Sequence, residues 1–247
     1  RRTKSAFSAG LRSFTLNVFL FMAVFRVSVQ APLPPPPVCM FACNPEMARL
    51  KRSFFTRSGV CVISRELLGM HLFTRSVKGQ VTGGIIVETE AYGGADDRAS
   101  HAYNNRRTGR TEVMFHKGGV AYVYLCYGMH YLFNVVTAEE GVPHAVLVRA
   151  VEPTHGIKAM LKRRGHERAG RNLSAGPGRL TSALGINSTH NGLSLLGSRV
   201  WIEDRKGRSA PDFRVDSGPR VGVDYAGSDA GRPWRFRLRG SGWVSRP

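Results

Sequence analysis

Acidic residues are scarce in this chain of 247 residues. Asp and Glu together number 17 against 36 Lys and Arg, which gives a formal net charge of +19 at pH 7. Such an excess of positive charge predicts a polyanionic partner, and nucleic acid is the most common partner of that kind. The charge indicates the class of partner but not the chemistry that the protein performs.

Cysteine is also rare. The chain has 4 cysteines, at positions 39, 43, 61 and 126, which are too few and too scattered for a disulfide framework or a four-ligand zinc site. They predict free thiols in a reducing compartment. No other set of residues has the spacing of metal ligands, so we predict neither a metal nor a cofactor.

The first 46 residues have no acid before Glu46, although they contain several Lys and Arg. The apolar run at 14–25 is too short to span a membrane but suits the core of a targeting presequence, and the proline run at 32–37 predicts an extended linker. The stretch from Met47 resembles an ordinary protein start, so the preceding sequence is alternatively untranslated. We predict that 1–46 is an appended, disordered segment and that 47–247 forms one domain without a membrane partner.

The strand predicted over 80–92 carries two acids. Its sequence at 85–92 is Ile-Ile-Val-Glu-Thr-Glu-Ala-Tyr, and period-two alternation puts Glu88 and Glu90 on one face with Ile86. Burial of a carboxylate among apolar residues is costly, so a solvated strand end is the plain alternative. Alternation does not distinguish which acid would act in a site.

Apolar residues at helical spacing predict a helix within 60–73 that ends near Gly69, and a short helix at 154–165. The stretch 174–180 is a glycine-rich turn that opens a helix, either to bind phosphate through backbone N–H groups or as a plain cap. The stretches 220–223, 234–237 and 242–245 alternate as strands that would close the sheet.

Residues 121–136 predict a hairpin whose two strands meet at Tyr127-Gly128. Of the 7 tyrosines in the chain, those at 122, 124, 127 and 131 lie in this hairpin, where cross-strand packing is the usual role of such residues. Tyr127 differs because a residue at the tip has little core to pack against. An exposed aromatic side chain on a basic protein suggests a surface that stacks on bases.

Two groups of arginines require partners. Arg149 lies among apolar residues in the strand predicted at 145–151, and its guanidinium needs a carboxylate, a phosphate or several carbonyls, so Glu90 is a candidate partner. The polar loop after the acid-bearing strand contains His101 and, near its end, Arg106, Arg107 and Arg110. These arginines are either solvated or in contact with phosphate.

Several sequence motifs of this chain resemble those of the alkyladenine (3-methyladenine) DNA glycosylases, which are monofunctional base-excision repair enzymes. The resemblance extends from about Leu50 to Ser245. The matching motifs are VETEAY at 87–92, DRASHA at 97–102, RRTGR at 106–110, YVYLCYGMHYLFNV at 122–135, VLVRAVEP at 146–153, SAGPGRL at 174–180 and RVGV at 220–223. The resemblance implies a mixed α/β domain with a curved, mainly antiparallel β-sheet, surrounding helices and a protruding hairpin.

The resemblance also implies residue roles. Glu90 matches the family's general base, and Arg149 matches the basic residue beside the attacking water. Tyr92, His101 and Tyr124 match the walls of the base pocket, and Asn134 matches the residue placed against the purine 2-position. Tyr127 matches the intercalating wedge, with Met129 beside it, and the residues that match DNA-backbone contacts are Arg106, Thr108, Arg110, Arg179, Val221 and Gly222. Arg98 stands where proline is usual, and 116–119 replaces a proline-containing turn. Both departures concern loop shape.

The implied function is removal of damaged purines (3-methyladenine, 7-methylguanine, hypoxanthine and ethenoadenine) from double-stranded DNA by base flipping and hydrolysis. The product is an abasic site, without a lyase step, and the implied enzyme is a monomer. The compartment is the cytoplasm or nucleoid of a bacterium, or the nucleus or an organelle of a eukaryote. The alternatives are a non-catalytic damaged-DNA-binding protein of the same fold and an enzyme that acts on RNA or free nucleosides.

Overall fold

The computed structural model describes residues 48–205 and 214–245. The predictions for residues 1–46 lie outside this part of the chain. Strands in the described ranges are β1 (Ala48–Arg49), β2 (His71–Arg75), β3 (Val81–Tyr92), β4 (Val120–Cys126), β5 (His130–Thr137), β6 (His144–His155), β7 (Val200–Asp204), β8 (Val215–Gly218) and β9 (Arg235–Leu238). They form one antiparallel sheet in the order β1-β7-β2-β3-β6-β5-β4, with β9 joining β3 to β8. The predicted mixed α/β fold with a curved antiparallel sheet is confirmed.

The helices are α1 (Arg52–Phe55), α2 (Val60–Glu66), α3 (Ile157–Arg164) and α4 (Pro177–Leu184). α3 and α4 agree with the predicted helix at 154–165 and the predicted turn that opens a helix. The helix predicted within 60–73, with its end near Gly69, is present as α2, and it stops at Glu66, three residues before Gly69. Gly69 has a φ of 85°, and the Gly69 N–H donates to the Ile86 carbonyl at 2.8 Å. Pairing with β3 therefore overrides the helical spacing of the apolar residues.

β3 is the strand at which the sheet branches. One of its edges pairs with β6, while the other pairs first with β2 and then, at 88–90, with β9. The register with β6 shifts between Ile86 and Glu88 and again between Glu88 and Thr89. Such bulges change the direction of side chains. The simple alternation that we used for the two acids is therefore interrupted at this point.

The predicted hairpin is confirmed, with β4 and β5 paired from Val120 and Val136 to Cys126 and His130. Tyr127 and Gly128 have φ values of 50° and 69°, the signs that the two central residues of a type I′ turn require. Glycine adopts this conformation freely, whereas tyrosine adopts it at a cost of about 1 to 2 kcal/mol. The tip is therefore a strained turn that presents an aromatic ring.

The tail is only partly as predicted. Residues 235–238 form β9, but the strands predicted at 220–223 and 242–245 are wrong, because both stretches are irregular. Gly222 has a left-handed φ of 74°, and side chains rather than a strand ladder hold both stretches. Arg220 donates to the carbonyl of Ala91 at 3.0 Å, and the Ser245 N–H donates to Glu88 at 2.5 Å.

The main core packs α2 and α4 against the sheet through buried residues such as Ile63, Leu180, Ile86 and Phe133. A smaller cluster, which includes Met114 and the buried ring of Tyr122, fixes the loop between β3 and β4 against the hairpin. Burial of each large apolar side chain stabilises the fold by about 1.5 to 3 kcal/mol. Within 48–205 and 214–245, no helix is long and apolar enough to cross a membrane.

Candidate functional site

A cavity of about 800 Å³ opens beside the hairpin, between the loop that follows β3, the turn before α4 and the stretch 221–225. Most of the predicted site residues line it: Tyr92, His101, Arg110, Tyr124, Tyr127, Asn134, Arg149, Arg179, Val221 and Gly222. The structure does not place Glu90, Met129, Arg106 or Thr108 in its wall.

Glu90 lies directly behind the wall of the cavity and is 0% exposed. Its Oε1 accepts a hydrogen bond from the Val221 N–H at 2.8 Å and lies 3.2 Å from Nη1 of Arg149. Its Oε2 accepts a hydrogen bond from the Tyr92 hydroxyl at 2.8 Å. All three partners line the cavity. An ionised carboxylate has about four acceptor positions, so these contacts leave room for one more donor.

The Tyr92 hydroxyl remains a proton donor to Glu90. Burial of the ring raises the pKa of Tyr92 well above its usual value, and the neighbouring Glu90 carboxylate raises it further. Because the phenol does not ionise near neutral pH, it holds Oε2 without adding a second negative charge. The carboxylate is thus fixed in place by a neutral donor, a backbone amide and a cation.

Arg149 is 6% exposed, and its three nitrogens have three different partners. Nε donates to Glu88 at 3.0 Å, Nη1 faces Glu90 at 3.2 Å, and Nη2 donates to Ser245 Oγ at 3.2 Å. Burial acts to lower the pKa of Arg149, but Glu90 and Glu88 act to raise it, and the net shift is upward. The predicted pairing of Arg149 with Glu90 is confirmed as a contact, and Glu88 shares it.

Glu88 already accepts four hydrogen bonds, three of them at one oxygen. Its Oε1 accepts from Nε of Arg149 at 3.0 Å, from Nε of Arg235 at 2.7 Å and from the Ser245 hydroxyl at 2.9 Å. Its Oε2 accepts from the Ser245 N–H at 2.5 Å. Burial would raise the pKa of Glu88, but Arg149, the Ser245 N–H and Arg235 lower it, and the net shift is downward. These contacts favour Glu90 over Glu88 as the acid that acts on a bound molecule.

Aromatic rings form one wall of the cavity. His101 packs edge-to-face on Tyr124, with ring centroids 4.7 Å apart, and its Nδ1 lies 2.9 Å from the Tyr122 hydroxyl. Burial, followed by the positive charges of Arg110 and Arg106, lowers the pKa of His101 to about 4. The imidazole is therefore neutral at pH 7 and does not repel a cationic ligand.

Asn134 both braces the hairpin and lines the cavity. It lies opposite Tyr122 in the β4–β5 ladder, is 4% exposed, and its Nδ2 donates to the Tyr122 carbonyl at 3.1 Å. A carbonyl can only accept, so this bond fixes which end of the amide points to the hairpin backbone. The rest of the side chain is available to a molecule in the cavity.

The hairpin tip is exposed. Tyr127 is 88% exposed and Met129 is 71% exposed, and only Tyr127 of these two borders the cavity. Tyr225, which our sequence reasoning missed, also lines the cavity and is 71% exposed. The mouth of the cavity thus carries two exposed aromatic rings from separate segments of the chain.

The predicted DNA-backbone residues are surface residues with different local partners. Arg107 is paired with Glu112 at 2.7 Å, whereas Arg106 and Arg110 have no ion pair among the residues that the structure describes. Arg110 instead covers the ring of Tyr124 at 4.6 Å. Thr108 bonds to Thr111 within its own loop. Contact of these residues with DNA stays a prediction.

A buried ion pair holds the stretch that carries Val221. Asp97 accepts from Nη1 of Arg220 at 2.5 Å and from Nη2 at 2.8 Å, and both side chains are 0% exposed. Asp97 also accepts from the N–H groups of Gly93 and Ala99. This pair joins the loop after β3 to residues 220–221 and thereby directs the Val221 N–H at Glu90.

Sequence reasoning missed Asp97, Arg220, Arg235 and Ser245. Asp97 and Arg220 are each the first residue of a motif shared with the family, which could have marked them as site residues. Arg235 alternates with apolar residues in a predicted strand. No local signal marked Ser245. Among the described residues, no group of three His, Cys, Asp or Glu side chains is arranged to hold a metal ion.

Comparison with known proteins gives consistent results. The sequence model of the family described as methylpurine-DNA glycosylase matches residues 53–242. A relative from Chlamydia felis is 44% identical over 190 residues, which cover 76% of this chain and 95% of the relative. A relative from Desulfitobacterium hafniense is 42% identical over 206 residues, with 81% and 99% covered. Both are named, as provisional assignments, 3-methyladenine DNA glycosylase.

Proposed function

Because the chain belongs to the methylpurine-DNA glycosylase family, we propose that it removes damaged purines from duplex DNA with a water molecule that Glu90 activates. Membership of this family makes it a DNA glycosylase of base-excision repair, with DNA as its partner. The substrates that we propose are 3-methyladenine, 7-methylguanine, hypoxanthine and ethenoadenine. We further propose that the enzyme acts as a monomer, without a cofactor and without a lyase step.

The observation that carries this proposal is the position of Glu90. Its carboxylate is buried behind the cavity wall and is bonded to Tyr92, Val221 and Arg149, all of which line the cavity. The remaining acceptor position of the carboxylate can take a proton from water. A carboxylate in this position also stabilises the positive charge that develops on the sugar as the glycosidic bond breaks.

In the proposed reaction, the target nucleotide first leaves the stack, because its glycosidic bond cannot be reached inside a duplex. The water oxygen bonds to the sugar C1′, and the bond from C1′ to the purine nitrogen breaks with its electron pair leaving on the base. The water proton passes to Glu90. An alkylated purine already carries a positive charge, so it departs as a neutral base and needs no acid, whereas hypoxanthine and ethenoadenine are neutral and must take up a proton from water as they leave.

The aromatic wall suits a cationic base. The rings of Tyr92, His101 and Tyr124 line the cavity, and a cation within about 6 Å of the uncovered face of such a ring is attracted by its quadrupole. His101 adds no opposing charge, since its pKa is lowered to about 4. Stacking accepts many purines, so discrimination must come from contacts at the purine edges.

The principal alternative is a non-catalytic protein that binds damaged DNA. It would need the aromatic wall and the basic surface, but not a buried carboxylate held beside a buried arginine, which is costly to desolvate. Incubation of the purified protein with a duplex that contains one hypoxanthine, followed by hot alkali, distinguishes the two functions. A glycosylase produces a strand break at the hypoxanthine position after alkali, whereas a binding protein leaves the strand intact.

Removal of the ring at the hairpin tip should weaken base flipping. Tyr127→Ala is expected to destabilise the flipped state by roughly 1 to 3 kcal/mol, because one aromatic stack on a base is lost. Fluorescence of ethenoadenine in a duplex reports flipping directly. Tyr127→Phe keeps the ring and serves as the control. Equal flipping by the Ala variant and the wild type would show that the ring does not fill the gap in the duplex.

Loss of the Asn134 side chain should relax discrimination against guanine. Guanine differs from hypoxanthine by its 2-amino group, and a side chain against that position rejects guanine by about 1 to 3 kcal/mol. Asn134→Ala is therefore expected to raise guanine excision relative to hypoxanthine excision, measured as single-turnover rates on duplexes that differ only in that base.

Asn191→Ala is the matched control for this measurement. Its Oδ1 accepts from the Val123 N–H at 2.9 Å, so this side chain also braces the hairpin backbone, but it does not line the cavity. A change in the guanine to hypoxanthine ratio that appears in both variants, or in neither, would limit Asn134 to a structural role.

A further inference from the structure

The carboxylate of Glu88 and the hydroxyl of Ser245 lie on the side of Arg149 that faces away from Glu90. We propose that Glu88 and Ser245 are positioning residues that fix the guanidinium of Arg149, so that Glu90 keeps an acceptor position for water. This inference rests on the proposed function. It adds that the C-terminal stretch 242–245, remote in sequence from every predicted site residue except those at 221–222, is part of the catalytic arrangement.

Ser245 connects both groups through one oxygen. Its hydroxyl donates to Oε1 of Glu88 at 2.9 Å and accepts from Nη2 of Arg149 at 3.2 Å. Glu88 also accepts from Nε of Arg149 at 3.0 Å. Because a guanidinium is planar and rigid, contacts at Nε and Nη2 fix its orientation, and only Nη1 remains to face Glu90.

This orientation determines how Glu90 is used. An arginine side chain that is free to reorient often forms a bidentate pair with a carboxylate, in which one N–H donates to each oxygen. That pairing would occupy both oxygens of Glu90 and displace the Tyr92 hydroxyl or the water. With its other nitrogens held by Glu88 and Ser245, Arg149 approaches only Oε1, at 3.2 Å. Arg235 is a second positively charged partner of Glu88, at 2.7 Å. It keeps the Glu88 carboxylate ionised, so that Glu88 can hold Arg149.

The backbone of the C-terminal stretch is held by hydrogen bonds that do not involve Arg149, so its position does not depend on that side chain. Arg171 donates from Nε to the Val244 carbonyl at 2.8 Å and from Nη2 to the Ser245 carbonyl at 3.1 Å. The Ser245 N–H is held by Glu88 at 2.5 Å. Removal of the hydroxyl alone should therefore leave the backbone of this stretch in place, while Nη2 of Arg149 loses its acceptor and Oε1 of Glu88 loses one of its donors.

The test is single-turnover excision of hypoxanthine by Ser245→Ala, measured with enzyme in excess and together with ethenoadenine fluorescence and thermal unfolding. We expect excision to slow by about three- to tenfold, the effect of one net hydrogen bond on a rate, with flipping and melting temperature unchanged. Ser245→Thr keeps the hydroxyl and should restore the rate. Ser241→Ala is the matched control, because its hydroxyl accepts from the Trp243 N–H in the same stretch at 3.2 Å.

If the wild type excises hypoxanthine and Ser245→Ala excises it at the same rate, this inference is overturned while the proposed function stands. Ser245 also lines the cavity, so a loss of flipping in parallel with the loss of excision would overturn the inference, because Ser245 would then act by direct contact with the flipped base. Failure of Ser245→Thr to recover while the melting temperature is normal would equally contradict a role for the hydroxyl. Absence of excision by the wild type would instead refute the proposed function.

Discussion

Replacement of Glu90 by Gln is expected to lower single-turnover excision by about a hundredfold or more, the usual effect of removing a general base. Gln is nearly the same size; its amide oxygen can accept from the Val221 N–H and its amide N–H can donate to the Tyr92 hydroxyl, so the pocket should keep its shape. It cannot take the water proton at neutral pH, and it no longer stabilises positive charge on the sugar. Affinity for a duplex with hypoxanthine should be close to that of the wild type.

The matched control for Glu90→Gln is Glu152→Gln. Glu152 lies on β6 opposite Ile85 of β3, so the same loss of charge occurs on the same part of the sheet, outside the cavity. Its excision rate should equal that of the wild type. Near-normal excision by Glu90→Gln, with both variants folded, would remove Glu90 from the role of base.

Replacement of Asp97 by Ala should destabilise the protein by about 3 to 5 kcal/mol, because it leaves a buried guanidinium without its counter-ion. Arg220 cannot lose its proton to escape this cost. The N–H groups of Gly93 and Ala99 lose their acceptor as well. The free energy of unfolding, measured by urea denaturation of the wild type and the variant, checks this value.

Glu112→Ala is the matched control, since it also removes the carboxylate from an arginine pair. The side chains of Arg107 and Glu112 are 57% and 46% exposed, so water replaces the lost contact and stability should hardly change. Equal unfolding free energies for the Asp97 and Glu112 variants would show that the buried pair does not hold the loop and residues 220–221 together.

Local patterns were sufficient where neighbours in sequence determine the structure. The acid-bearing strand predicted at 80–92 is β3 at 81–92, and the turn predicted at Tyr127-Gly128 is the hairpin tip. Each depends on alternation or turn chemistry within a few residues. The helix predicted to end near Gly69 is present but stops at Glu66, because Gly69 and Met70 pair with Ile86, a residue too distant in sequence for local spacing to indicate.

The sequence motifs named ten residues that line the cavity, but they did not give the contacts between those residues. Alternation could not separate Glu88 from Glu90, because it puts both acids on the same face of the strand. In the structure both acids contact Arg149. What separates them is contact with distant residues: Glu88 is occupied by Arg235 and Ser245, and Glu90 by Tyr92 and Val221. Asp97 and Arg220 are 123 residues apart. A single sequence contains no periodic signal for such pairs.

The most direct test of Glu90-activated hydrolysis is to follow the base and the DNA strand together in one reaction. Wild-type protein is incubated with a duplex that contains one 7-methylguanine, the free base is quantified by mass spectrometry, and the strand is analysed with and without alkali. We predict that each released base corresponds to one alkali-labile site, that the strand is intact before alkali, and that Glu90→Gln releases almost no base. Strand cleavage before alkali, or base release that does not depend on Glu90, would contradict a water molecule activated by this carboxylate.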